Sequence, residues 1–247
     1  MSDKTQSVLI LGAASDIGRA IAHEYARGGA SIILAARDAQ RLQADAVDLR
    51  LRYGGEVRVA DFDVLDTARQ AAFLDSVGAL PETVICVIGL LGDQEESQRS
   101  AQTAELVMRT NYTGCCLILG AIANRMEARC AGCIIGVSSV AGDRGRAKNY
   151  IYGSAKAGFT AFLSGLRARL ATKGVRVITV QPGFVDTRMT AGMDLPKALT
   201  AQPAEVARAI HRAQTRGKHV IYVRPVWRLV MAVIRVLPES IFMRTKF

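Results

Sequence analysis

Tyr152-Gly153-Ser154-Ala155-Lys156 sets a phenol and an ammonium four residues apart. On a helix, positions i and i+4 share a face, so the two heads converge. A free phenol titrates near ~10 and is a poor acid at neutral pH. A neighbouring ammonium favours the phenolate and makes proton transfer to a developing alkoxide feasible. Ser138-Ser139 lies thirteen to fourteen residues upstream, closing the apolar run 133–137. Ligands of open α/β sheets bind at the carboxyl ends of strands. A serine hydroxyl, Tyr152 and Lys156 are therefore expected to meet at one site.

A second stretch suits an anion. Gly12-Ala13-Ala14-Ser15-Asp16-Ile17-Gly18 follows the first apolar run and opens a helical pattern. Gly12 permits a sharp turn and Gly18 lets the helix lie close to the strand. The free N–H groups and the helix dipole then face a phosphate. Past the second run comes Ala35-Ala36-Arg37-Asp38. An acid ending that strand binds a ribose 2′-hydroxyl, whereas an arginine pairs with a 2′-phosphate. Arg37 thus favours NADP(H) over NAD(H), although a solvated loop arginine beside Asp38 reads the same way.

The elements that must position these residues follow from periodicity. Short Val/Ile-rich runs at 8–11, 31–35, 57–60, 83–88, 133–137, 175–180 and 219–223 read as strands buried on both faces. Helical periods fall between them at 18–27, 67–77, 104–129, 152–173 and 203–215. This alternation predicts an α/β fold: a Rossmann-type, doubly wound, mostly parallel seven-stranded sheet with helices on both faces. Residues 1–223 are expected to form one catalytic and dinucleotide-binding domain, and 224–247 a basic amphipathic C-terminal extension.

Composition narrows the classes. The chain has 247 residues, 50% of them hydrophobic and 22% charged, which excludes a disordered or collagen-like protein. Five cysteines at irregular spacing do not make a disulfide framework and fit a reducing, cytoplasmic setting. The start of the chain lacks the apolar core of a signal peptide, and no uncharged run reaches the length of a membrane span. Cys130-Ala131-Gly132-Cys133 has metal spacing, but no second pair and no nearby His accompany it, so no metal is expected. Of the net charge of +10, residues 208–247 carry nine Lys/Arg against one acid, Glu239. The interleaved residues are aliphatic rather than stacking aromatics, so nucleic acid is not the expected partner.

Taken together, Gly12-x5-Gly18, Asp63-Val64, Asn111-Tyr-Thr-Gly114, Ser139, Tyr152-x3-Lys156 and Gln181-Pro182-Gly183-Phe-Val185-x-Thr187 resemble the short-chain dehydrogenase/reductase family over nearly the whole chain. The resemblance implies a carbonyl or alcohol substrate, with Tyr152 as proton donor and Ser139 holding the substrate oxygen. Lys156 would bind the nicotinamide ribose and depress the Tyr152 pKa, and Asn111 would hold a water relaying protons to Lys156. Gly12, Ser15, Asp16, Ile17 and Gly18 would face the pyrophosphate, and Arg37 the adenosine ribose. Asp63, Val64 and Gly89 would border the adenine side, and Pro182, Gly183, Val185 and Thr187 the nicotinamide. Ser138 would point away. Two positions depart from the family pattern. Asp16 replaces a glycine, where it can cap the helix or weaken phosphate binding. Cys86-Val87-Ile88-Gly89 keeps only the glycine of Asn-Asn-Ala-Gly. Family members are often dimers or tetramers, through helices such as 104–129 and 152–173.

Ile88-Gly-Leu-Leu-Gly-Asp93, Val140-Ala-Gly-Asp-Arg144 and Leu237-Pro-x-Ser240-Ile-Phe242 further resemble the branch that reduces decaprenylphosphoryl 2-keto-ribose. That branch implies a keto-sugar on a polyprenyl phosphate and work at the inner face of a membrane. A segment begun by Pro225 and stopped before Pro238 is apolar, contains the only tryptophan, Trp227, and spaces Arg224, Arg228 and Arg235 by four and seven. Such a helix suits an anionic membrane surface, the protein's own core or a second subunit. A small soluble ketone as substrate, or a nucleotide-binding regulator without catalysis, are the remaining readings.

Overall fold

Each of the seven Val/Ile-rich runs is a strand, because short β-branched stretches shed water on both faces of a parallel sheet. The computed structural model describes residues 6–244. Along the chain it runs β1 (Ser7–Leu11), α1 (Asp16–Arg27), β2 (Ser31–Ala36), α2 (Gln43–Tyr53), β3 (Val57–Asp61), α3 (Gln70–Val77) and β4 (Thr83–Cys86). Then follow α4 (Gln94–Ser97), α5 (Ala101–Met108), a π-helical turn (Arg109–Thr113), α6 (Gly114–Ala128), β5 (Gly132–Val137) and α7 (Tyr150–Leu170). The remainder is β6 (Val175–Pro182), β7 (Phe184–Val185), β8 (Thr200–Ala201), α8 (Pro203–Thr215), β9 (Val220–Val223), α9 (Val226–Val236) and α10 (Glu239–Phe242).

The main sheet has the order β3-β2-β1-β4-β5-β6-β9, and every pairing in it is parallel. This is the Rossmann-type fold with helices on both sides. One face buries Ile21 and Tyr25 of α1, Leu49 of α2 and Val206 and Ile210 of α8. The other buries Leu74 of α3, Ile118 and Ile122 of α6 and Phe159 and Leu163 of α7. The order in which strands are added reverses between the neighbours β1 and β4, and the crevice at their carboxyl ends is where such sheets bind ligands.

The structure adds α2, which has no strong apolar period and buries only Ala46 and Leu49. The expected helix 104–129 is one run, Ala101–Ala128, interrupted by the π turn that carries Asn111. By length and composition that run could cross a membrane, yet half of its apolar window is buried in the fold. The strand expected over 83–88 ends at Cys86, which releases Val87 to Gly89 toward the crevice.

The C-terminal segment corrects one expectation. Trp227, Met231 and Ile234 form the inner face of α9 and pack on Val140, Phe184, Leu199 and Tyr222. Trp227 is therefore a core residue. Arg224 does not share a helical face with Arg228 and Arg235. It precedes the helix at φ 60°, and its guanidinium turns back onto Glu205 at 3.0 Å. Residues 245–247 of the proposed extension lie outside the described residues.

Candidate active site

Lys156 sits in the second turn of α7, 2% exposed. Its Nζ donates to the Ile88 carbonyl at 3.3 Å and the Val137 carbonyl at 3.2 Å, the exits of β4 and β5. An ammonium has three donors, so one remains for the crevice. The Tyr152 ring centroid lies 5.8 Å from Nζ, one helical turn away. Ser139 follows β5; its Oγ accepts from the Ala141 N–H at 3.1 Å, which leaves its hydroxyl proton free. Ser138 is turned away, donating to the Lys156 carbonyl at 3.0 Å and meeting Thr160 Oγ1 at 2.7 Å.

Asn111 is fully buried on the π turn. Its Nδ2 donates to the Leu90 and Val107 carbonyls at 2.6 and 2.8 Å, and its Oδ1 accepts from the Leu90 N–H at 3.2 Å. A Cβ on Gly89 would lie 3.3 Å from that Oδ1 and 3.5 Å from Lys156 Nζ. Asn111 thus braces the chain beside Lys156 rather than touching it.

The turn between β1 and α1 is built for close approach. Gly12 has φ 92°, which glycine alone adopts at little cost. A Cβ on Gly18 would lie 2.5 Å from the Gly12 carbonyl oxygen, so only glycine lets the helix start this near the strand. Ser15 is the N-cap: its Oγ accepts from the Gly18 N–H at 3.0 Å and donates to the Gly12 carbonyl at 2.8 Å. Asp16 does not cap. Its carboxylate accepts from the Arg188 N–H at 2.8 Å and from Arg188 Nε at 2.9 Å. The charge beside the phosphate turn is thereby neutralised by a residue 172 positions later. Nothing in the local sequence signals Arg188.

Arg37 is exposed at the end of β2, and Asp38 beside it is engaged by Arg41 at 2.7 Å. Asp63 Oδ1 accepts from the Leu65 N–H at 2.9 Å, and Val64 packs against Gly114. After β6, a Cβ on Gly183 would fall inside the Trp227 indole, 1.9 Å from Cε2. Trp227 also donates Nε1–H to the Leu199 carbonyl at 3.0 Å and meets Phe184 edge-on at 5.3 Å. The Thr187 N–H bonds Thr190 Oγ1 at 3.2 Å, closing a short turn.

These residues surround a cavity of about 850 Å³. Ile17, Gly89, Ser139, Tyr152, Lys156, Pro182, Gly183, Val185 and Thr187 line it. Gly12, Ser15, Asp16, Gly18, Arg37, Asp63, Val64 and Asn111 stand outside that lining, shaping the turns that border it or extending along the strand ends. Behind Ser139, Asp143 accepts from Gln181 Nε2 at 2.6 Å and from the Tyr222 hydroxyl at 2.8 Å. Burial and the Asp143 carboxylate push the Tyr222 pKa up to about 12, so it stays a donor at neutral pH. Cys133 is buried in the core and Cys130 is exposed, whereas the buried Cys86 and Cys115 thiols bond each other within electrostatic reach of Lys156.

A family model described as short chain dehydrogenase matches residues 6–197. An uncharacterized oxidoreductase of Mycobacterium tuberculosis is 37% identical over 240 residues, covering 96% of each chain. Another, of Streptomyces coelicolor, is 38% identical over 249 residues, covering 98% of this chain and 97% of its own. Among solved structures, a short-chain dehydrogenase from Sphingobium yanoikuyae in complex with NADPH superposes with a TM-score of 0.81 at 27% identity, over 95% of this chain and 97% of that one.

Proposed function

The chain belongs to the short-chain dehydrogenase family and is an NAD(P)-dependent oxidoreductase, and from that premise we propose that it reduces the ketone of a lipid-linked keto-sugar with NADPH. The observation that carries the carbonyl-reductase reading is Lys156, buried between two strand ends with one free donor beside the Tyr152 ring, in a cavity that Ser139 also lines. The phosphate turn suits a dinucleotide, because the Gly12 and Gly18 positions crowd out a Cβ and Ile17, in the first turn of α1, lines the cavity. Exposed Arg37 supports a 2′-phosphate partner.

NADPH supplies a hydride when bound. Ser139 Oγ–H holds the substrate oxygen, and Tyr152 donates the proton that oxygen takes up as the alcohol forms. Lys156 holds the cofactor ribose with its free donor and keeps its positive charge one helical turn from the phenol. Asn111, fixed by Leu90 and Val107, would hold a water relaying protons to Lys156. Asp63 and Val64 support the adenine side, and Pro182, Gly183, Val185 and Thr187 the nicotinamide side.

The lipid-linked reading draws on the outer face of α9. Leu229 is 68% exposed, Val233 53% and Val236 78%, with Ile241 and Met243 continuing the apolar surface. Arg228 and Arg235 flank it and are exposed. An apolar stripe edged by arginines suits an anionic membrane surface, each such charge contributing about 1 kcal/mol. A homodimer or homotetramer is supported by Leu106, Met108, Tyr112 and Leu117, all exposed on the α5–α6 run.

The experiment is NADPH oxidation in mixed micelles with a polyprenylphosphoryl 2-keto-pentose, against the same sugar without lipid. A kcat/KM at least tenfold higher for the lipid-linked sugar, lost in Tyr152→Phe, supports the reading. Equal rates would retire the lipid. NADPH binding without reduction of any ketone would favour a nucleotide-binding regulator. Loss of anionic-vesicle co-sedimentation in Leu229→Asp/Val236→Asp supports the membrane contact, and unchanged co-sedimentation removes it.

A further inference from the structure

Among the described residues, four buried side-chain polar atoms have no hydrogen-bond partner: Gln94 Nε2, Ser97 Oγ, Arg146 Nε and Asn149 Oδ1. All four residues line the active-site cavity. Buried polar atoms in native proteins are paired, and four orphans converging on one cavity point to a ligand that pairs them. Gln94 and Ser97 come from α4, Arg146 and Asn149 from the loop that leads into α7, so the cluster forms one wall near Tyr152. Ser97 is 3% exposed. Burial lowers the Arg146 pKa, and Arg146 makes no ion pair among the described residues.

The orientation of Gln94 follows from its other end. Its Oε1 accepts from the Ile151 N–H at 3.2 Å, which leaves its buried NH₂ without an acceptor. Asn149 is the residue before α7 but makes no capping bond with its side chain. The acids that also line the cavity are engaged elsewhere: Asp93 accepts from the Glu96 N–H at 2.8 Å, and Glu95 lies 4.0 Å from Arg99.

We infer that Gln94, Ser97, Arg146 and Asn149 form a specificity subsite for the hydroxyl groups of a polyhydroxylated ketone. The inference rests on the carbonyl-reductase reading of the same cavity and adds the chemistry of the substrate body. Gln94 and Arg146 present donors, Asn149 presents an acceptor, and Ser97 can do either. A carboxylate or phosphate accepts only and leaves the Asn149 oxygen unpaired. An apolar ketone leaves all four unpaired. Adjacent hydroxyls accept and donate at once and match the set.

The test compares a pentahydroxycyclohexanone (an inosose) with cyclohexanone, which share a ring and a ketone. With NADPH, kcat/KM for the inosose is expected to exceed that for cyclohexanone at least tenfold. Ser97→Ala and Arg146→Met are each expected to raise KM for the inosose about tenfold and to shrink the preference. Ser97→Ala melts at or above the wild-type temperature, because the hydroxyl it removes has no protein partner. Equal use of the two ketones, or a preference that survives both substitutions, overturns the subsite. If neither ketone is reduced, the reductase reading is left to the lipid-linked keto-sugar assay, and saturation-transfer NMR tests the subsite alone. Transfer to the inosose that Ser97→Ala abolishes sustains it, and no transfer in the wild type removes it.

Discussion

Arg188 clasps Asp16 through its backbone N–H at 2.8 Å and its Nε at 2.9 Å, and its Nη2 donates to the Ala14 carbonyl at 2.8 Å. The clasp ties the segment after β7 to the phosphate turn. Arg188 is 68% exposed, so the pair contributes little to stability, about 0–1 kcal/mol. Its effect is electrostatic and local: it cancels a carboxylate where a pyrophosphate is proposed to sit. Arg188→Ala is expected to weaken NADPH binding about tenfold, or roughly 1.4 kcal/mol, in a fluorescence titration. Asp16→Gly in the same chain restores it. If the double variant binds as poorly as Arg188→Ala, the charge argument is wrong.

Among the described residues Arg37 makes no ion pair, while Arg41 occupies Asp38. Arg37→Glu places a like charge against a 2′-phosphate. NADPH affinity is expected to fall at least thirtyfold, about 2 kcal/mol, with NADH affinity unchanged or improved. Equal losses for both cofactors would assign Arg37 to the loop alone.

Removing Lys156 takes a donor from the buried Val137 carbonyl and the partly buried Ile88 carbonyl. Lys156→Met is expected to lower stability by about 1–3 kcal/mol and to reduce kcat. Tyr152→Phe removes only a hydroxyl from a half-buried ring. It is expected to keep NADPH binding and stability and lose at least a hundredfold in kcat, the scale of a positioned general acid. Urea melts and single-turnover rates separate the two outcomes.

Gly183 and Trp227 are mutually dependent. Gly183→Ala drives a methyl into the indole and Trp227→Ala empties the pocket, the latter at about 3–5 kcal/mol. In the Trp227→Ala background, Gly183→Ala is expected to cost almost nothing further. A double-mutant cycle by chemical denaturation reads the coupling. Additive losses would mean the contact is slack.

Glu205 is held below the usual carboxylate range, first by the Gln202 N–H at 2.7 Å and then by Arg224. A depressed folded value contributes stability above the unfolded carboxylate range, near ~4.3, that is lost as pH falls through the folded value. Arg224 anchors the start of α9, which carries the only tryptophan. Trp227 fluorescence is therefore expected to red-shift on acidification below that range, and Glu205→Gln to remove the Glu205 contribution and show the weakened state at neutral pH. A pH profile identical in Glu205→Gln would detach the effect from this pair.

The amino-acid sequence by itself determined the alternation of strand and helix, because β-branched runs and helical periods are local patterns that burial on a parallel sheet preserves. It also determined the Tyr152–Lys156 face, since i,i+4 spacing needs only a helix, and the Gly12 and Gly18 turn, since only glycine tolerates those backbone distances. The tertiary structure alone decided which side of α9 is covered: an amphipathic period marks Trp227 as apolar but not what packs on it, and Gly183 proved to be its neighbour. It alone decided that Ser15, not Asp16, caps α1, because Arg188, distant in sequence, takes the carboxylate. The π turn that presents Asn111 and the meeting of Gln94, Ser97, Arg146 and Asn149 were invisible for the same reason. Hydrogen-bond partners and orphans are properties of contacts between elements, and spacing along the chain encodes only contacts within them.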